Sequence, residues 1–276
     1  MYIFEVSIDG SNKTSITWDQ VIERVEDLAA RYWNSGQTYC RDYPVFREAS
    51  RVVWIAQTME KCSLDSRYDS VWVKKYREEL EKVCRAKLQI QYRGENPSSG
   101  KAVCRCKSPS WYVLFTNFAT ENSPLLCGDC GGYVPLYRIP KPCSSLDEKE
   151  YELKTIQDYS LIREWELNYQ YCDNLQMDCG FAQRWGQRQL SDVRSGLSCS
   201  GRDLARSLES RLNAPVYYYL YNYKKTTYKA DITRPCPVCK GAWFLSDDSS
   251  GADNESLFRF KCDDCRLVSN ISFDLL

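Results

Sequence analysis

Histidine does not occur in the sequence. Its absence removes Ser–His and Cys–His nucleophile pairs, imidazole general bases and every histidine metal ligand. Carboxylate and lysine chemistry stay open to such a chain, but the common hydrolytic and transferase designs do not, so the expectation is a protein that is not an enzyme. An excess of charge is also lacking. Lys plus Arg number 37 and Asp plus Glu number 37, which leaves no global field to draw in nucleic acid or a membrane surface. No window approaches the roughly 20 apolar residues of a membrane span. The opening M-Y-I-F-E-V-S-I lacks both the basic stretch and the long apolar run of a signal peptide. The expected location is the cytoplasm, with no membrane partner.

Cysteine, by contrast, is abundant, with 15 in 276 residues. In a reducing compartment that number points to metal rather than to disulfides. Cys236 and Cys239 form one C-x-x-C pair and Cys262 and Cys265 a second, with 22 residues between them. Each pair can curl so that two thiolates face one ion, and two such turns on neighbouring hairpins complete a tetrahedral four-thiolate zinc site. Gly241 follows the first pair, where a positive φ is often needed. The competing readings are two disulfides or two redox dithiols. Disulfides need an oxidising compartment, and a redox C-x-x-C sits alone at a strand-to-helix junction. Residues 231–276 are therefore expected to be a C-terminal four-cysteine zinc ribbon, with a coordination shell closed to water and substrate.

A second set is less regular. Cys104 and Cys106 with Cys127 and Cys130 are separated by twenty residues. C-G-D-C-G-G has glycines that free backbone amides to face sulfur, whereas C-R-C gives a tighter bite. Cys143, in K-P-C, is a substitute ligand, and a metal-free turn with buried thiols is the alternative. Residues 101–143 are read as a zinc-knuckle β-hairpin region, so one or two Zn²⁺ ions are expected.

Residues 1–93 read as a small α/β sandwich-like unit. Tyr2, Phe4, Val6 and Ile8 alternate as on a strand, T-W-D-Q at Thr17 is a capping box, and Val21, Val25, Leu28 and Tyr32 recur at helical spacing. Val52–Ala56 is a buried strand, Asp69 or Ser70 opens a helix carrying Val73, Tyr76, Leu80 and Val83, and Leu88, Ile90 and Tyr92 alternate again. The order β-α-β-α-β suits a ferredoxin-like half, its four tryptophans (Trp18, Trp33, Trp54, Trp72) reading as core.

Residues 145–230 are expected to be helical and to end in a Tyr-rich strand. S-L-D-E at Ser145 is a capping box, and Leu153, Ile156, Tyr159, Ile162, Trp165, Tyr169 and Cys172 follow at helical spacing. Residues 147–179 hold nine carboxylates against three cations, and residues 184–229 nine cations against three carboxylates. A capped helix ends at Asn213 before Pro215. In the strand V-Y-Y-Y-L-Y-N-Y, alternation puts Tyr217, Tyr219, Tyr221 and Tyr223 on one face. Tyrosines beside Arg202, Arg206, Arg211, Lys224 and Lys225 can stack bases and hold phosphates. The blander reading is that the basic helix neutralises the acidic one while the tyrosines bridge the sheet and the ribbon. From Arg234 onward, five basic residues face seven acidic ones, which suits a protein-binding surface at Asp247, Asp248, Asp253 and Glu255 better than a phosphate track.

Taken together, S-P-L-L-C-G-D-C-G-G-Y-V-P-L-Y-R-I-P, G-R-D-L-A-R-S-L-E-S-R-L-N-A-P-V-Y-Y-Y-L and C-P-V-C…F-K-C-D-D-C-R-L-V-S resemble a bacterial family of unknown function, described as Zn-ribbon-containing and as a nucleic-acid-binding candidate. The resemblance implies a zinc ribbon on Cys236, Cys239, Cys262 and Cys265, and with less force Cys127 and Cys130 as ligands. It carries over no catalytic residue. The fold class expected is thus α+β, and the function that of a non-catalytic zinc-ribbon protein with a macromolecular partner. A protein partner, a secreted toxin being the sharpest case, is favoured over nucleic acid.

Overall fold

The computed structural model describes residues 1–40, 44–96, 103–119, 122–140, 159–245 and 258–272. They form a mixed α+β chain with two sheets, divided into two compact units. One comprises Met1–Val103, Glu121–Ser123 and Pro135–Ser160, the other Cys104–Thr120, Pro124–Val134 and Leu161–Leu276.

In the first unit, β1 (Tyr2–Asp9), α1 (Trp18–Asn34), β2 (Val45–Glu48), β3 (Arg51–Thr58), α2 (Val71–Cys84) and β4 (Gln89–Glu95) follow one another. The sheet order is β2-β3-β1-β4 and all neighbours are antiparallel. This β-α-β-β-α-β arrangement is the ferredoxin-like order. Alternation places Phe4, Val6 and Ile8 opposite Ala56, Trp54 and Val52 on one sheet face, where they share a core with Val21, Val25 and Leu28 of α1 and Val73 and Leu80 of α2. Helix α1 starts where the capping box requires: Thr17 Oγ1 accepts from Gln20 N (3.2 Å), and Gln20 Oε1 accepts from Thr17 N (2.9 Å). Ser70, the second of the two expected starts, caps α2 by accepting from Val73 N at 3.2 Å. Of the four tryptophans, Trp54 is fully buried in the core, while Trp18 lies under the cations of Lys13 and Arg47. Strand β2 has no counterpart in the expected order. It joins β3 through the two-residue turn Ala49–Ser50, with Ala49 at φ 52. Such turns normally announce themselves as Asn-Gly or Asp-Gly, and the exposed β2 carries no alternation to reveal it.

The second unit holds β5 (Tyr112–Leu114), β6 (Leu125–Cys127), α3 (Ser160–Asp178) from Leu161 onward, α4 (Gln183–Ser191), α5 (Gly196–Leu212), β7 (Val216–Tyr219), α6 (Tyr228–Ile232), β8 (Phe260–Cys262) and β9 (Leu267–Ser269). The expected start of the long helix at Ser145, with Leu153 and Ile156, lies outside the described residues. From Ser160 the pattern runs as expected, burying Ile162, Trp165, Tyr169 and Cys172. Helix α5 is capped by Ser195, which accepts from Ser198 N at 3.0 Å, and closes on Asn213 in the left-handed conformation before Pro215. The hairpin segment, the Tyr-rich strand and the C-terminal segment, distinct on sequence, contribute to one sheet of order β6-β5-β7-β9-β8. Strands β5, β7 and β9 are parallel, and the two hairpin partners β6 and β8 run antiparallel at the edges. Helix α5 packs close on β7 because Gly201 has no side chain; a Cβ there would stand 2.3 Å from the Tyr218 ring and 2.5 Å from Trp165 Nε1.

Candidate metal centres

Both cysteine sets converge. The sulfurs of Cys104, Cys106, Cys127 and Cys130 lie within 4.8 Å of one another, and so do those of Cys236, Cys239, Cys262 and Cys265. Four sulfurs about 2.3 Å from a central zinc ion stand roughly 3.8 Å apart, and the Cys239 and Cys262 sulfurs are 3.6 Å apart. Two such clusters are close enough to hold a metal ion each. The described cysteines are free thiols, so none of the three C-x-x-C pairs is a cystine. Cys143 lies outside the described residues.

Three of the four turns share one backbone device. The residue after the second cysteine takes the left-handed conformation: Gly131 at φ 67, Lys240 at φ 64 and Arg266 at φ 51. In the first two, its N–H returns to the carbonyl of the leading cysteine, Gly131 N to Cys127 O (2.9 Å) and Lys240 N to Cys236 O (3.0 Å). The positive φ expected at Gly241 therefore falls one residue earlier, on Lys240. Gly241 instead donates toward Cys239 sulfur and accepts from Cys236 N at 2.9 Å. At the other cluster Gly132 N reaches the Cys130 sulfur at 3.4 Å. C-R-C has no such turn, and Cys104 is held instead by its N–H on Tyr133 O at 2.8 Å.

The charge balance follows from this geometry. The Gly241 N–H draws the Cys239 thiol down to about 7, whereas burial raises Cys262 and Cys265. In the other cluster Cys130 is lowered with help from the Gly132 N–H, while Cys106, hydrogen-bonded to Cys130, is pushed up to about 11. In each set one thiol is thus lowered while two of its neighbours are raised. Four thiolates packed this closely need a cation among them, so the donor set fits a soft divalent ion.

Register shows how the centres relate. Cys127 pairs with Tyr112, which pairs with Val216; Cys262 pairs with Leu267, which pairs with Tyr218. Because β5, β7 and β9 are parallel, both clusters lie at the same end of the sheet, at its two opposite edges. Four strand spacings separate those edges, about 19 Å.

The residues expected to contact a partner are placed as follows. Tyr217 and Tyr219 are buried and present no open stacking face. Tyr217 meets Trp111 edge-on at 5.3 Å and donates to Asp263, while Tyr219 meets Phe115 at 4.9 Å and donates to Asn270 Oδ1 at 3.1 Å. These are bridges between sheet and C-terminal segment. Arg202 and Arg206 line one cleft with Arg266, beside Cys265, but Glu209, Asp263 and Asp264 line it too. Arg206 bonds Asp203 at 2.5 Å within its own helix, and Arg266 grips Glu209 through two nitrogens at 2.9 and 3.2 Å. Arg211 sits in the last turn of α5, and Lys224 and Lys225 are exposed beyond β7. Asp247, Asp248, Asp253 and Glu255 lie outside the described residues. On α3, Glu166 is buried with Arg163 at 2.7 Å, and burial raises its pKa. Sequence periodicity gives no sign of that pair, since both residues read as polar. The described residues include no helix long and apolar enough to cross a membrane.

The fold and site define an α+β protein with two four-cysteine centres on one sheet. Family models described as domains of unknown function match residues 1–94 (DUF8589), 106–221 (DUF2310) and 225–275 (DUF8594). Two uncharacterized proteins of Haemophilus influenzae are each 36% identical over 169 residues, 61% of this chain, which spans 75% of one and 58% of the other. The chain belongs to the family of these proteins, a bacterial family of unknown function. Among solved structures, an antibiotic biosynthesis monooxygenase is 13% identical over 34% of this chain and 99% of its own, with a TM-score of 0.27. Rv0793 of Mycobacterium tuberculosis is 10% identical over 36% of this chain and 100% of its own, with a TM-score of 0.26. Likeness at that level carries no argument about this chain.

Proposed function

We propose that this is a zinc-stabilised, non-catalytic cytoplasmic protein that binds another protein, with a toxin-neutralising, immunity-type role as the sharpest form of the reading. The make-up of the clusters carries it: each offers four sulfurs and nothing else. Such a set suits Zn²⁺ and fills a tetrahedral shell, leaving no position for water or substrate. Cys236, Cys239, Cys262 and Cys265 would hold one ion in a ribbon built on the β8–β9 hairpin, and Cys104, Cys106, Cys127 and Cys130 a second. Zinc bound there supplies cross-linking between backbone segments.

Protein is favoured over nucleic acid because Tyr217 and Tyr219 of the tyrosine row are buried and Arg206 and Arg266 meet carboxylates. Zero net charge points the same way. The test is isolation from the native host without chelator, followed by native mass spectrometry. Two zinc ions per chain and a stoichiometric protein partner are expected; a metal-free chain, or repeated isolation with no partner, defeats the reading.

Nucleic-acid binding is kept as the alternative on one observation, the shared cleft of Arg202, Arg206 and Arg266 beside Cys265. It requires affinity for single-stranded RNA or DNA that falls steeply as salt rises. No binding at low salt ends it.

A further inference from the structure

Within the second unit, helices α3, α4 and α5 enclose an open groove of about 1020 Å³. Its long wall is one stripe of α3. Leu161, Trp165, Asn168, Tyr171 and Leu175 recur at three- and four-residue steps, and at 1.5 Å per residue the stripe is about 21 Å long. The facing wall, on α5, is lined by Gly196, Ser200 and Ser207 with Leu197, Asp203 and Leu204 among them. Trp185 of α4 lines the groove as well. Trp165 and Leu197 are buried at its floor, while Leu161 is 51% exposed, and Tyr171 and Trp185 are 55% exposed. An aromatic and aliphatic stripe on one wall, three small residues opening the other and a length of about four turns are the dimensions of a helix-in-groove site.

The charges select the occupant. Only Glu164, on the α3 wall, and Asp203, on the α5 wall, are charged among the lining residues, and both are acidic. Asp203 is bonded by Arg206 at the exposed rim. We infer that this groove takes an amphipathic helix of a partner protein, its apolar face against Leu161, Tyr171 and Trp185 and its Lys or Arg residues flanking that face toward Glu164, since Asp203 already meets Arg206. A docked helix would complete a four-helix arrangement over β7. The inference rests on the protein-partner reading and names the surface and chemistry of that contact.

The probe is a fluorescent synthetic helix of about 16 residues, long enough to form on docking, with Leu at i, i+3, i+4 and i+7 and Lys elsewhere. It is followed by anisotropy against the full zinc-loaded chain at physiological salt. Saturable micromolar binding is expected, weakened about tenfold or more when Glu replaces the Lys residues of the peptide. Leu161→Lys, at an exposed position, should weaken it about tenfold with zinc content unchanged, and Glu164→Gln should weaken it about threefold. No saturable binding, equal binding of the acidic peptide, or full affinity in Leu161→Lys overturns the assignment. A concentration-dependent dimer abolished by Leu161→Lys would assign the groove to a second copy and overturn it as well. If Leu161→Lys still carries its stoichiometric partner from the host, the groove assignment falls while the partner reading stands.

Discussion

The backbone of Gly128 lies flat against the indole of Trp111: a Cβ at this glycine would stand 2.1 Å from the ring atoms Cδ2 and Cε2. Gly128 N also donates to Trp111 O at 2.9 Å. The residue between Cys127 and Asp129 is thus glycine for a steric reason, and the indole is clamped onto the turn that carries two cysteines. Gly128→Ala should cost about 1–3 kcal/mol and speed metal loss from the Cys104–Cys130 centre alone. Thermal unfolding, with a zinc-release assay in a colorimetric chelator, reads both effects.

Each centre should be removable without the other. Cys236→Ser is expected to leave one zinc ion per chain, Cys127→Ser the other, and the double variant none, as counted by native mass spectrometry. Metal binding at a closed thiolate site is folding free energy, so losing either ion should lower the melting temperature by roughly 10 °C or more. A single variant that keeps two ions would remove its cysteine from the ligand set.

The left-handed residues after the cysteine pairs make opposite predictions. Gly131 pays nothing for φ 67, whereas Lys240 at φ 64 carries a side chain in that region. Gly131→Val should destabilise by about 1–2 kcal/mol and Lys240→Gly should be neutral or stabilising by up to about 1 kcal/mol. Chemical denaturation of the zinc-loaded protein measures both.

Arg163 and Glu166, bonded at 2.7 Å and both buried, make a pair whose halves are not separable. Arg163→Met leaves the Glu166 carboxylate without that cation, at a cost of about 3–5 kcal/mol. Burial already raises the Glu166 pKa, and loss of Arg163 raises it further. A carboxyl whose folded pKa lies above its unfolded value of about 4.3 binds more protons folded than unfolded, so the variant loses stability as pH rises through that window. The deficit of Arg163→Met should therefore shrink as pH falls from 7 toward 5, checked by urea unfolding at each pH. The paired variant Arg163→Met, Glu166→Leu should recover most of the loss and show no such slope.

Legibility in the sequence followed locality. The Thr17 capping box, the Ser195 cap and the α1 stripe of Val21, Val25 and Leu28 were readable because partners lie within a few residues along the chain. The C-x-x-C pairs were readable for the same reason, since each turn is a five-residue device. Strand β2 was not, because its turn is Ala-Ser and its side chains are exposed. Neither was the burial of Tyr217 and Tyr219. Alternation put them on one face, but whether that face is open depends on Trp111 and Phe115 from about a hundred residues earlier in the chain.

By itself the sequence determined the chemistry available: eight cysteines in spaced sets, no imidazole, balanced charge, and the helical and extended segments that carry them. Only the tertiary structure decided that the Tyr-rich strand lies between the two hairpins, so that the centres close opposite edges of one sheet at the same end. Strand order and register are set by long-range pairing and by what each face buries, and neither leaves a mark within the few residues over which spacing and alternation can be read.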